Sequence, residues 1–89
     1  MEKSQTLFKS GYVKGKGSKE WALKIINYII DGQTSTREFY VGNVLADGTF
    51  ETEFESDELY SAWRKYTDIR IWSRGYERVR AEDLECKML

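Results

Sequence analysis

Glu20 to Ile30 reads EWALKIINYII and runs straight into Asp31-Gly32, and the fold turns on this stretch. As a helix it offers Ser18 as N-cap, Gly32 just past the end, and Glu20, Lys24, Asn27 and Asp31 on one polar face. As a strand it offers four isoleucines, Trp21 and Tyr28, all good sheet formers, with Asp31-Gly32 as a turn into the next strand. The strand is preferred, and a second helix over 19–31 is the alternative. Trp21 belongs to the core under either reading.

Upstream, Thr6–Val13 (TLFKSGYV) reads as a first strand, followed by a lysine-glycine loop, Lys14–Lys19 (KGKGSK). Downstream, Arg37–Ala46 (REFYVGNVLA) leads to Asp47-Gly48, and Thr49–Glu55 (TFETEFE) returns. Asp-Gly between alternating segments is a strong hairpin signal. In the returning strand Phe50, Thr52 and Phe54 share one face, and Glu51, Glu53 and Glu55 the other.

Ser56–Tyr66 (SDELYSAWRKY) reads as a helix. Ser56 is the expected cap, Asp57 and Glu58 suit the first turn, and Arg64 and Lys65 suit the last. Leu59, Ala62, Trp63 and Tyr66 form the expected buried stripe. Ile69–Ala81 follows, expected to form two strands broken at Ser73-Arg74-Gly75, and then a polar tail to Leu89. This order suits a small α+β domain or a partly open barrel of OB- or SH3-like type, with the mostly antiparallel sheet and one helix at about 56–66. Residues 1–89 are expected to fold as one domain.

Composition narrows the chemistry. There is no histidine and a single cysteine, Cys86, so structural zinc and Cys-His or histidine-based catalysis fall away. No enzyme activity, metal or cofactor is expected. No hydrophobic run is long enough for a membrane span, and the start MEKSQTLFKSG has no apolar signal region, so a cytoplasmic protein is expected. Three Trp, six Tyr and four Phe are more rings than a thin core needs. Self-association into a small homo-oligomer is therefore expected.

A formal net charge of −1 lacks the attraction of a general nucleic-acid coat protein. The charges are sorted along the chain, however. Residues 1–24 hold six lysines against two acids, 25–60 hold eight acids against Arg37, and the remainder holds seven bases against five acids.

The leading candidate site lies in IRIWSRGYERVRA, Ile69–Ala81. One parity carries Arg70, Trp72, Arg74, Tyr76, Arg78 and Arg80, guanidinium groups interleaved with rings. Such a face grips phosphates and stacks on flat bases. Lys14 and Lys16 of the glycine loop extend it, although the loop is no P-loop because the GxxxxGK[ST] spacing fails. The reading is a non-enzymatic binding module for a nucleotide, a signalling nucleotide or a single strand, with sequestration of that ligand as one use. The alternative is a phage-type inhibitor that binds a host protein, such as a nuclease or defence protein, through an acidic strand mimicking DNA. Asp47, Glu51, Glu53 and Glu55 carry that alternative, since carboxylates at i, i+2 and i+4 lie about 6.6–6.8 Å apart, near the phosphate spacing. Whether the acidic and arginine-rich strands are neighbours decides between mutual neutralisation and two free surfaces.

Overall fold

The ambiguous stretch is a strand. The structure, a computed structural model, describes residues 2–14, 19–68 and 76–78, with the backbone alone for Glu77 and Arg78. Strand β2 (Lys19–Ile30) lies between β1 (Glu2–Lys14) and β3 (Gln33–Leu45), antiparallel to both. Asp31 and Gly32 have φ of 52° and 78°, so both residues of the β2–β3 turn are left-handed. A two-residue turn of that kind matches the twist of the strands it joins.

The helical look of β2 has a simple cause. Trp21, Leu23 and Ile25 point to one face of the sheet, and Ala22, Lys24, Ile26 and Tyr28 to the other. A central strand with apolar groups on both sides loses the clean alternation that marks a half-buried one.

Strand β4 (Phe50–Ser56) pairs with β3, and a three-residue β5 (Tyr76–Arg78) pairs with β1 at Tyr12, Val13 and Lys14. The sheet order is β4-β3-β2-β1-β5. The β3–β4 turn closes with Gly48 N donating to Leu45 O at 2.9 Å and Leu45 N donating to Thr49 O at 2.8 Å. Gly48 has φ of 89°, a backbone conformation that Asp-Gly supplies at little cost. The strands extend beyond the expected limits: β1 begins at Glu2 and β3 at Gln33.

Two bulges interrupt the ladders. In β1 the register shifts between Lys9 and Val13; there Gly11, with φ of 79°, donates its N–H to Glu20 Oε2 at 3.1 Å. In β4, Val41 faces Phe54 while Gly42 faces Thr52, so Glu53 is the extra residue. A Cβ on Gly42 would collide with the Glu51 carbonyl oxygen, which explains glycine in mid-strand.

Helix α1 (Leu59–Tyr66) is shorter than expected. Ser56 Oγ accepts from Glu58 N at 3.0 Å, which spends the predicted cap on a local turn and leaves Glu58, still extended, as the N-cap. The expected stripe is also only partly buried. Ala62 is buried and Tyr66 half-buried, but Leu59 and Trp63 are each 49% exposed. The small Ala62 takes the contact position against the sheet, so its larger neighbours sit at the margin.

The core lies between α1 and one sheet face: Trp21, Leu23, Phe39, Val41, Ala62 and Tyr76, with Tyr12, Ile25, Phe54 and Tyr66 packed around them. Trp21 Nε1 donates to Tyr66 O at 2.9 Å, satisfying a carbonyl at the helix end that has no partner inside the helix. The architecture is thus α+β, an open antiparallel sheet with one short helix on one face. Among the described residues no helix is long and apolar enough to cross a membrane.

Candidate ligand-binding surfaces

The sheet order answers the question the charges raised. The acidic strand β4 and the strand β5 that carries Arg78 lie at opposite edges of the sheet. The described neighbour of β5 is β1, whose charges are Lys3, Lys9 and Lys14 against Glu2. Tyr12 pairs with Arg78 and Lys14 with Tyr76.

Of the residues expected on the arginine-aromatic face, Arg70, Trp72, Arg74 and Arg80, with Lys16 of the loop, lie outside the described residues. Tyr76 is described, and it is a core residue, only 8% exposed. Its ring meets Trp21 edge-on, with centroids 5.9 Å apart at 67°, and its hydroxyl donates to Oδ1 of the buried Asn43. Burial raises its pKa. A ring so enclosed is a structural anchor with no face left for a base. The Lys14 ammonium lies 5.8 Å from the centre of this ring.

The acidic strand does not present one row. Asn43, the cross-strand partner of Glu51, is in the core, whereas Glu55 faces Tyr40 on the other side of the sheet. The bulge at Glu53 causes the switch, because one extra residue inverts the alternation on either side of it. The same inversion turns Phe54 to the core and leaves Phe50 on the opposite face. Glu51 forms a salt bridge with Lys19 at 3.0 Å, which raises the lysine pKa. Asp47 accepts from Thr49 N at 2.9 Å, and that bond holds its carboxyl below the usual range. Asp47 is therefore a turn residue.

The face of the sheet away from α1 holds an arrangement that sequence reading missed. Lys24 lies 4.9 Å from the centre of the Tyr40 ring and 4.6 Å from that of Phe50, so one ammonium bridges two rings on neighbouring strands. Across the sheet, Lys3 sits 5.2 Å from the centre of Tyr28, its cross-strand partner. Between the tyrosines stands Glu38, which accepts from the Tyr40 hydroxyl at 2.9 Å through Oε2. Its pKa is lowered first by the Tyr28 hydroxyl and then by Tyr40. Glu38 Oε1 is buried and has no hydrogen-bond partner among the described residues. Tyr40 in turn has its pKa pushed up to about 12 by the same carboxylate. The signal for this stripe is faint in sequence. Lys24, Ile26 and Tyr28 share a parity, as do Glu38 and Tyr40, but only the strand registers bring them together.

On the helix side, Phe8, Leu23, Ile25, Leu59, Tyr60 and Trp63 line an open, mainly apolar groove of about 660 Å³. Among the described residues no cluster of carboxylates or thiols could hold a metal ion. Compared with known proteins, the chain matches no family model, no curated protein and no solved structure.

Proposed function

We propose that the chain is a non-enzymatic cytoplasmic binding module that holds an anionic ligand through the arginine-rich segment 69–81. The ligand is a nucleotide, a signalling nucleotide or a single strand of nucleic acid. One observation carries this reading: β5 is hydrogen-bonded to the lysine-bearing β1 and shares no ladder with acidic β4, although the buried Tyr76 hydroxyl reaches Asn43 beside Glu51. Glutamates placed beside the arginines would have neutralised them across the ladder. With Tyr76 committed to the core, stacking falls to Trp72, and Arg70, Arg74, Arg78, Arg80, Lys14 and Lys16 supply the cationic groups.

The reading does not depend on closure of the sheet into an OB- or SH3-like barrel. Self-association belongs to it, supported by the exposure of Phe8, Ile30 and Tyr60. The alternative, an inhibitor that captures a host protein by imitating DNA, draws no comparable support, because the bulge at Glu53 divides its carboxylates between two faces.

Isothermal titration against a panel of nucleotides and short oligonucleotides tests the proposal. Heat of binding that is lost in Arg74→Ala and Trp72→Ala is the expected result. Absence of binding to every member of the panel would overturn it.

A further inference from the structure

The stripe on the open face has a composition that suits one kind of partner better than others. Three rings, Tyr28, Tyr40 and Phe50, sit on three adjacent strands, and lysines lie against each of them. No described helix covers them, since α1 packs on the opposite face, and each of the three rings keeps part of its surface exposed. A protein partner would be expected to meet a patch depleted in Lys and Glu at its centre. Here Lys24 and Glu38 are the centre, between the rings.

Alternation of cation and ring across a sheet is instead what a flexible anionic chain of bases requires. A base stacks on any exposed aromatic face, and the phosphate joining it to the next base passes beside the ring. Lysine held over a ring by a cation–π contact worth roughly 0.5–1 kcal/mol at an exposed site is near that path and is released at small cost. We infer that the open face of the sheet is a stacking platform for single-stranded nucleic acid, on which Tyr28, Tyr40 and Phe50 receive bases and Lys3 and Lys24 take the intervening phosphates. Duplexes are excluded, because rings lying on a sheet reach only bases that are unstacked and turned outward. The platform shares a ligand class with the arginine-rich segment but uses none of its residues, so the two stand or fall separately.

The charge on this face sets the form of the binding. Lys3, Lys9 and Lys24 stand against Glu20, Glu38 and Glu55, so electrostatic attraction is weak and stacking supplies most of the affinity. Each phosphate contact on a single strand contributes about 0.7 to the slope of log affinity against log salt. Two lysines therefore predict a slope of magnitude about 1.4, far shallower than a row of four arginines would give.

Fluorescence anisotropy of a labelled ten-nucleotide oligothymidylate, titrated with the full chain, tests the inference. Tyr40→Leu and Phe50→Leu keep apolar bulk and are expected to weaken binding by about 5- to 100-fold each, the range for loss of one stacked base. Circular dichroism of each variant reports whether the fold is kept. Lys24→Gln, a surface change that leaves the core intact, is expected to reduce the salt slope by about 0.7, and it carries the test if a ring variant fails to fold. Ring variants that bind like the wild type while Arg74→Ala loses binding would overturn the platform and leave the arginine-segment reading standing. Loss in the ring variants with Arg74→Ala unaffected would do the reverse. A wild-type chain that binds no oligothymidylate at low salt overturns the platform outright.

Discussion

The two faces of the sheet are built from alternate residues of the same strands, yet they use polar groups in opposite ways. On the helix side every described polar group in the core ties distant parts of the chain together: Trp21 to Tyr66, and Tyr76 to Asn43. On the open side Lys3 and Lys24 lean on the rings of Tyr28, Tyr40 and Phe50 without a hydrogen bond to hold them there. A buried hydrogen bond is costly to break because its orphaned partner stays unsolvated, whereas a surface contact is readily exchanged for water or ligand. The difference separates what holds the molecule together from what is free to bind.

Gly42 offers the severest way to break this division, since it serves the bulge that allots β4 side chains to the two faces. Gly42→Ala should cost about 3–4 kcal/mol or prevent folding, read as lost cooperative melting, because its methyl collides with backbone at Glu51. The contrast itself is measured by two truncations on one strand. Leu23→Ala, on the helix side and fully buried, should cost about 2–5 kcal/mol in a denaturant titration. Ile26→Ala, three residues on and only partly buried, should cost less, about 1–2 kcal/mol. Equal losses would mean that the open face is as much a core as the other.

Tyr76→Phe sharpens the comparison by removing one oxygen. It should cost about 1–3 kcal/mol in the same titration, because Asn43 is left buried without that donor. The smallest effect is the pH dependence of Glu38. Its folded pKa is lowered, so its tyrosine contacts stabilise the protein above the ordinary value of 4.5, and that stability is lost as pH falls through the folded pKa. Melting temperature measured from neutral pH downward should fall less in Glu38→Gln than in the wild type across that interval. Tyr40 runs the other way: its contribution is complete below pH 10.0 and disappears as pH rises through about 12.

Turn chemistry was the most legible part of the chain. Asp31-Gly32 and Asp47-Gly48 announce their hairpins, and the strand choice for Glu20–Ile30 follows from the first of them. The end of the helix is equally plain in Arg64 and Lys65, but its start is not, since Ser56 can cap a helix or close a local turn and only the tertiary setting selects the latter. Parity arguments held only where no bulge intervened. Glu51, Glu53 and Glu55 read as one row until an unpaired Glu53 divides them, and nothing in TFETEFE marks that residue as the extra one. The cue was Gly42 on the partner strand. Tyr76 reads as an outward ring beside arginines, but its place is fixed by Trp21 and Asn43, 55 and 33 residues away, beyond the reach of any local pattern. The lysine-aromatic stripe was invisible for the same reason, because it crosses four strands and appears only once their registers are known.

The sequence of pairings along the sheet also bears on how the chain finds its shape. From β1 to β4 every pairing is between strands consecutive in sequence, and β2 and β3 are joined by two residues. Loops that short close in microseconds or less, so the β2–β3 hairpin is the cheapest nucleus and its neighbours can zip on either side. The distant contacts, Trp21 with Tyr66 and Tyr76 with Asn43, then act as latches on a sheet already drawn up by local steps. Slowing or loosening those latches would leave a chain rich in strand pairing with its helix undocked.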